Sequence, residues 1–285
     1  MAHSTLVSTG ELAAHLTDWA VVDCRWDLQD AAWGPAAYRA GHIPGAVHAA
    51  LDADLAGPKT GVGGRHPIPP VEALEALFSR LGIGPGTQVA VYDQDIGMFA
   101  ARLWWMLRYL GHDEVALVDG GWATWTREGR PSRTGDEPRA GATFHAAVRP
   151  GMRASLNEVA QRTGDADWLL VDARAPERFE GRVEPIDRAA GHIPGAVDHH
   201  FRTNAAEDGT LLPAAVLRER FARLLGGRDP ERVVMYCGSG VTACHNLLAM
   251  ERAGLPGARL FPGSWSEWSL DPSRPVETGP ARIRR

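Results

Sequence analysis

The residues best suited to chemistry surround Cys237, in the stretch 232–253. Four apolar residues, Val233–Tyr236, lead directly to this cysteine, and a Gly-Ser-Gly sequence at 238–240 follows it before a predicted helix. A strand, a glycine-rich loop and the start of a helix together turn backbone N–H groups toward an anion. Such N–H groups favour the thiolate form of a cysteine at the mouth of the loop. We therefore interpret Cys237 as a nucleophile.

Two kinds of chemistry use a cysteine loop of this type, and they differ in the cationic residue that must follow. A phosphatase of the C-x5-R type needs an arginine six positions after the cysteine, where it binds phosphate bidentately. Position 243 is Ala243, and the next arginine is Arg252. Sulfur transfer needs a cradle for the terminal sulfur of a cysteine persulfide, which is an anion. The sequence therefore favours a persulfide intermediate over a phosphocysteine.

The chain contains an internal repeat the size of a whole domain. Residues 40–47 and 190–197 both read Ala-Gly-His-Ile-Pro-Gly-Ala-Val, and other segments keep step with this match. A period this long indicates a duplicated domain and not a solenoid of short repeats. We predict an N-terminal domain over 1–130, a linker over 131–152 and a C-terminal domain over 153–285.

Each half has the sequence pattern of an α/β fold. Short apolar runs predict buried parallel strands. These runs are 20–23, 88–92 and 115–118 in the first half, and 168–172, 232–236 and 259–261 in the second. The stretches between them predict helices, at 71–81, 98–110, 214–225 and 242–253. Strands that alternate with helices predict a parallel β-sheet flanked by α-helices in each half.

Composition limits the partners and the compartment. The 285 residues carry a net charge of −5 and no basic block, so nucleic-acid binding has no electrostatic support. No apolar run reaches the roughly 18 residues that span a bilayer, and we expect no membrane partner. Cys24, Cys237 and Cys244 are too few for a disulfide framework and form no C-x-x-C pair. We expect a cytoplasmic protein with a working thiol and no metal site.

Taken together, these motifs resemble those of the tandem rhodanese family. The loop that starts at Cys237 is similar to the active-site loop of its 3-mercaptopyruvate sulfurtransferase branch, and the Gly-His-Ile-Pro-Gly elements match in both halves. The resemblance implies two tandem rhodanese-like domains, with Cys237 as the sulfur carrier and Ser239 as a second catalytic residue. It also implies a loop that cradles the persulfide, formed by Gly238, Gly240, Val241 and Thr242.

The neutral residues beside the cysteine bear on the choice of sulfur donor. The thiosulfate-preferring branch of the family typically has Cys-Arg-Lys-Gly-Val-Thr, whereas this chain has Gly238 and Ser239 after the cysteine. Thiosulfate carries two negative charges and mercaptopyruvate carries one carboxylate. A neutral loop therefore favours mercaptopyruvate as the donor. In the first half Asp93 stands where the cysteine would be, and a carboxylate cannot carry sulfane sulfur, so we expect that half to be inactive.

The donor carboxylate needs a cationic partner, and arginine is preferred for bidentate binding. The resemblance implies Arg178 as the substrate-binding arginine, and Arg188 and Arg182 on the same loop are further candidates. Each of them could instead pair with acidic neighbours in a solvated loop. His42 matches the histidine of the Ser–His–Asp relay assigned to this branch. Because His192 repeats it in the second half, a structural role common to both halves is the alternative.

Two other positions bear on whether the Ser–His–Asp relay is present. Ala31 stands about where its aspartate is expected and Asp30 is one residue away, so the aspartate has no clean match. His66 lies in a Gly-Arg-His-Pro sequence on a loop of the first half that could reach the cleft, but we expect it to serve a turn or the surface.

The sequence thus predicts a sulfurtransferase with ping-pong kinetics and no cofactor. Cys237 would take sulfur from 3-mercaptopyruvate and pass it to cyanide, a small thiol or thioredoxin. Two alternatives stay open, a thiosulfate:cyanide sulfurtransferase and a persulfide carrier that docks to a protein acceptor. The sequence leaves the oligomeric state open.

Overall fold

The computed structural model of the protein describes residues 2–281 and shows alternating strands and helices in both halves of the chain. The strands are β1 (Leu6–Val7), β2 (Ala20–Asp23), β3 (Ala46–His48), β4 (Val89–Tyr92), β5 (Val115–Val118), β6 (Leu169–Asp172), β7 (Val197–Asp198), β8 (Val233–Tyr236) and β9 (Arg259–Leu260). The α-helices are α1 (Thr9–Ala14), α2 (Trp33–Ala40), α3 (Val71–Arg80), α4 (Ala100–Tyr109), α5 (Gly121–Arg127), α6 (Leu156–Arg162), α7 (Pro176–Phe179), α8 (Ala214–Leu225), α9 (Thr242–Arg252) and α10 (Ser264–Trp268).

The chain forms two compact units, and each unit includes a short segment from the other half of the sequence. The first unit consists of Met1–Gly57, Pro69–Arg149 and Ala205–Leu211. The second unit consists of Pro58–Ile68, Pro150–Asn204 and Leu212–Arg285. The segment Pro58–Ile68 therefore lies in the first half of the sequence and belongs to the second unit.

Each unit is built on a parallel sheet. The first has the strand order β1-β5-β4-β2-β3, and the second has the order β7-β6-β8-β9. Strands β2, β4, β5, β6 and β8 are buried along their whole length. Runs of apolar residues suit such strands because helices cover both faces of a parallel sheet. The prediction of a parallel sheet flanked by helices in each half is confirmed.

The predicted elements agree closely with the observed ones. Helix α8 has the predicted bounds, and α9 ends one residue before the predicted position. Strands β2 and β5 also match, whereas the short edge strands β1, β3 and β7 were not predicted. None of the helices within residues 2–281 combines the length and the apolar character that crossing a membrane requires.

A buried ion pair recurs after the corresponding strands of the two sheets. In the first unit Arg25 binds Asp23 through Nη2 at 2.7 Å and reaches the carbonyl oxygen of Gly41 at 2.5 Å. In the second unit Arg174 binds Asp172 at 2.7 Å and the carbonyl oxygen of Gly191 at 2.6 Å. The Asp-x-Arg motif thus fixes each Gly-His-Ile-Pro-Gly element to its sheet.

Candidate active site

Cys237 follows the last residue of β8 and is 2% exposed. The backbone N–H of Gly240 points at its sulfur, with 3.1 Å between N and Sγ. Residues 237–242, which we call the cysteine loop, end where helix α9 begins at Thr242. A backbone donor aimed at sulfur stabilises negative charge on it. The loop therefore suits a thiolate or a persulfide anion.

The shape of the cysteine loop depends on Gly240. This residue has φ +75°, and a Cβ on it would lie 2.3 Å from the carbonyl oxygen of Pro262. Both the backbone angle and this close approach require glycine. The positive φ of Gly240 turns the backbone so that the N–H of this residue faces the sulfur of Cys237.

Helix α10 stabilises the cysteine loop through backbone hydrogen bonds. The N–H groups of Trp265 and Ser266 donate to the carbonyl oxygens of Cys237 and Gly238, each at 2.9 Å. Ser264 has φ +55° and is the one described non-glycine residue with a positive φ. Its hydroxyl accepts the N–H of Cys237 at 3.1 Å and donates to the carbonyl of Phe261. Strained backbone of this kind often occurs at functional sites.

The segment Pro58–Ile68 approaches the same loop within the second unit. The N–H of Gly63 donates to Glu267 at 2.7 Å, and the N–H of Arg65 donates to Ser266 at 3.0 Å. Gly64 has φ +74°, and a Cβ on it would lie 2.4 Å from both the carbonyl oxygen of Gly263 and the hydroxyl of Ser266. These contacts fix the segment against α10.

His66 forms a hydrogen-bonded pair with Ser239. The distance between His66 Nδ1 and Ser239 Oγ is 2.7 Å, and each residue is 6% exposed. A buried hydroxyl next to an imidazole can pass a proton to or from a reacting molecule. The sequence placed His66 on a loop that could reach the cleft but favoured a turn or surface role, and the surface role is wrong because the side chain is buried against Ser239.

Two guanidinium groups face the cysteine loop at Gly238. A methyl group on the Gly238 Cα would lie 2.9 Å from Arg65 Nη2 and 3.6 Å from Arg178 Nη1. Arg65 is also an arginine that the sequence did not single out. Burial lowers its pKa and the positive charge of Arg178 adds to this effect, whereas Cys237 raises the pKa. Cys237 and two cationic side chains therefore share one electrostatic environment.

Buried carboxylates bind the other edge of these guanidinium groups. Asp187 pairs with Arg65 and binds Arg178 Nη2 at 3.0 Å. Glu184 binds Arg178 at 2.7 Å and Arg174 at 3.1 Å. The side chains of Asp187 and Glu184 are each 3% exposed. Within the described chain, neither Arg65 Nη2 nor Arg178 Nη1 has a hydrogen-bond partner.

The other two arginine candidates lie on the surface. Arg182 is exposed and binds Glu180 at 2.6 Å. Arg188 is exposed, and its Nη1 donates to the carbonyl of Leu270 at 3.4 Å. No hydrogen bond or ion pair joins either one to the cysteine loop among residues 2–281.

His42 belongs to the first unit and is fully buried there. Its Nδ1 lies 2.8 Å from the carbonyl oxygen of Tyr38, and its ring stacks on the Tyr38 ring. His192 has the same arrangement in the second unit, with Nδ1 2.7 Å from the carbonyl oxygen of Phe179 and its ring stacked on Phe179. The shared geometry favours a structural role for both histidines.

Asp93 fills the corresponding loop of the first unit with its own carboxylate. It accepts backbone N–H groups of Gly97, Phe99 and Ala100 at 2.9, 2.7 and 3.2 Å. Burial raises the pKa of Asp93 to about 6, although these N–H groups oppose the rise. The side chain thus occupies an anion-binding loop that has no cysteine.

The chain matches known proteins over nearly its whole length. The rhodanese-like domain matches residues 8–128 and again 155–271. A Pseudomonas aeruginosa protein whose name describes a 3-mercaptopyruvate sulfurtransferase is 44% identical, over 98% of this chain and 100% of its own length. A Mycobacterium tuberculosis protein whose name describes a thiosulfate sulfurtransferase is 40% identical, over 97% of this chain and 98% of its own. The solved structure of 3-mercaptopyruvate sulfurtransferase from Leishmania major superposes with a TM-score of 0.83 at 29% identity, covering 94% of this chain and 74% of that one.

Proposed function

The chain belongs to the rhodanese-like family, with one copy of the domain in each half, and from this we propose that it moves a sulfane sulfur from 3-mercaptopyruvate to a thiol or cyanide through a persulfide on Cys237. The observation that carries the proposal is the backbone N–H of Gly240 directed at Cys237 Sγ, beside two guanidinium groups and the Ser239–His66 pair. The site holds together a nucleophile, an anion cradle, a carboxylate-binding group and a proton carrier.

The first half-reaction forms the persulfide. The Cys237 thiolate attacks the thiol sulfur of mercaptopyruvate, and a new S–S bond forms as the C–S bond breaks. The electron pair of the C–S bond goes to C3 and gives the enolate of pyruvate. The proton of the donor thiol ends on C3, and the hydrogen bond between Ser239 and His66 supports this pair as its carrier. The products are pyruvate and an anionic persulfide on Cys237.

The cysteine loop holds the persulfide until the acceptor arrives. The Gly240 N–H and the turn 238–242 provide partial positive charge where the outer sulfur carries its negative charge. Cyanide or a thiolate then attacks the outer sulfur, the S–S bond breaks, and Cys237 regains its thiolate. Small thiols and thioredoxin are the acceptors that we propose, and the cytoplasm is the compartment.

We assign the donor carboxylate to Arg178 and Arg65, because their unpartnered Nη groups face Gly238. Arginine binds carboxylates bidentately and stays charged when buried. Arg188, Arg182 and His42 stay predictions from the sequence, and the contacts described above do not support them. Val241 and Thr242 complete the proposed cradle as the residues that lead into α9.

A second donor has support from a relative. The Mycobacterium tuberculosis protein named for thiosulfate is 40% identical to this chain. Rates measured side by side with mercaptopyruvate and thiosulfate separate the two donors, and we expect the larger kcat/KM with mercaptopyruvate.

The proposed function is tested by replacing the nucleophile. Cys237→Ser keeps the size of the side chain and removes the sulfur that forms the persulfide. We expect sulfur transfer from both donors to fall to background, while Cys244→Ser retains it. A Cys237→Ser variant that still transfers sulfur would overturn the proposal.

A further inference from the structure

The arginine cluster beside the cysteine loop carries a set of acidic partners that the mechanism above does not use. Arg65, Arg174 and Arg178 are paired with Asp172, Glu184 and Asp187. The side chains of the three acidic residues are 0 to 3% exposed. Three cations therefore face three buried carboxylates, and the cluster has no net charge when all of them are ionised.

Asp187 differs from the other two carboxylates in its position. Its two oxygens bind different guanidinium groups, Oδ1 that of Arg65 and Oδ2 that of Arg178. Arg65 lies 122 residues before Asp187 in the sequence, and Arg178 lies 9 residues before it. The carboxylate thus holds the two guanidinium groups side by side, and Arg65 Nη2 and both Nη atoms of Arg178 lie within 4 Å of the position that a Cβ on Gly238 would take.

We propose that Asp187 determines donor specificity: its carboxylate orients Arg65 and Arg178 toward the donor and cancels one positive charge, so the site takes a monoanion in preference to a dianion. The inference rests on the proposed function and concerns the same site. In this role Asp187 is a positioning residue, because it acts through the two arginines and the reacting sulfur lies on Cys237.

The magnitude of the effect follows from Coulomb's law. A donor anion on the near edge of a guanidinium group and Asp187 on its far edge are separated by two hydrogen bonds and the group itself, about 7 Å. At an effective dielectric constant of about 20, one extra negative charge on the donor costs a factor of several tens in affinity at this distance. Mercaptopyruvate carries one charge and thiosulfate two, so Asp187 penalises thiosulfate more.

The direct test is Asp187→Asn, which keeps the shape of the side chain and removes its charge. We expect the ratio of kcat/KM for thiosulfate to that for mercaptopyruvate to rise at least tenfold, mainly through a lower thiosulfate KM. The increase should shrink at high ionic strength because salt screens the interaction. Asp187→Glu retains the charge and should keep the ratio near the wild-type value.

The control for net charge is Glu219→Gln, which neutralises an exposed carboxylate on α8 that pairs with Arg223. This variant should leave the ratio unchanged. If Asp187→Asn does not fold, Asp187→Ser removes the same charge and gives the same test.

Two results would overturn the inference, and they differ from a failure of the proposed function. A fall in kcat/KM by the same factor for both donors would make Asp187 a structural residue only. A ratio that moves toward mercaptopyruvate would contradict the charge argument. Wild-type protein that transfers sulfur from neither donor would instead overturn the proposed function, and the inference with it.

Discussion

Among single residues, we propose that Ser239 and His66 carry the proton that distinguishes one donor from the other. When pyruvate leaves mercaptopyruvate, carbon C3 carries an electron pair that must be protonated. When sulfite leaves thiosulfate, it departs as a stable anion and needs no proton. We therefore expect the pair, with 2.7 Å between His66 Nδ1 and Ser239 Oγ, to be required for mercaptopyruvate and dispensable for thiosulfate.

His66→Asn should lower kcat with mercaptopyruvate by about 100-fold, because general acid–base groups typically contribute two to four orders of magnitude. The rate with thiosulfate should change little. His42→Asn is the matched control: it removes a buried imidazole from the first unit and should reduce thermal stability without changing the ratio of the two rates. Equal losses for both donors in His66→Asn would contradict the proton-carrier role.

Gly238 tests the placement of the arginines. A methyl group at this position would lie 2.9 Å from Arg65 Nη2, so the guanidinium group must move away from the donor. Gly238→Ala should raise the KM for mercaptopyruvate about tenfold with a smaller change in kcat. Gly151→Ala is the control, since a Cβ at position 151 meets nothing within 4 Å. Steady-state kinetics with an unchanged KM would show that Arg65 does not bind the donor.

At this scale the sequence predicts Cys237 as the nucleophile, which stays a prediction, and it misses part of the surroundings that the structure shows for this residue. Cys237 stands out in the sequence because the strand before it, the glycine loop and the following helix are contiguous. The local sequence therefore predicts how these three elements are arranged. The sequence could not identify His66 as the partner of Ser239, because the two residues are 173 positions apart. Their contact depends on the path of the segment Pro58–Ile68. A histidine in a repeated motif, His42, attracted the assignment instead.

At the scale of elements, the loop that follows β4 has Asp93 at the position where the loop after β8 has Cys237. The Asp93 carboxylate accepts four backbone N–H groups, those of Asp95, Gly97, Phe99 and Ala100. The folded state raises the pKa of this carboxyl to about 6, above the usual 3.8. The folded state therefore binds the proton more tightly than the unfolded chain does, and this contribution to stability is present below pH 4 and lost as the pH rises through about 6.

We expect the stability difference between the wild type and Asp93→Ala to depend on pH. The wild-type advantage should be larger at about pH 4 than at about pH 7.5, by roughly 2 kcal/mol, since each pKa unit corresponds to about 1.4 kcal/mol. Chemical denaturation at the two pH values measures it, with Asp136→Ala as the control for an exposed carboxylate of the same unit. An advantage that is equal at both pH values would contradict the assignment.

The long elements were predictable because their apolar periodicity extends over several turns or a whole strand. Edge strands β1, β3 and β7 were not, because two or three residues are too few to show a period, and the equally short β9 was predicted only within the run 259–261. One signal could have revealed the role of Pro58–Ile68. Val47 and Val89 are 42 residues apart, whereas their counterparts Val197 and Val233 are 36 apart. The first half thus carries six extra residues, and a segment without a counterpart in the repeat is a candidate for function.

On the scale of the whole molecule, each of the two units has a loop of the same kind after a central strand, and we propose that only the loop of the second unit, with Cys237, holds a nucleophile. Both loops direct backbone N–H groups at the side chain that follows the strand, Cys237 in the second unit and Asp93 in the first. The sequence predicted the fold class, and the rhodanese-like domain matches both halves. The domain boundaries at 130 and 153 stay a prediction.

The most direct test of the central claim is to locate the sulfur after the first half-reaction. The intact protein is treated with mercaptopyruvate in the absence of an acceptor, alkylated and analysed by mass spectrometry. We predict one added sulfur atom per chain, on the peptide that contains Cys237, and its loss when cyanide is added. Sulfur on Cys24 or Cys244, or turnover without any sulfur on Cys237, would contradict the account.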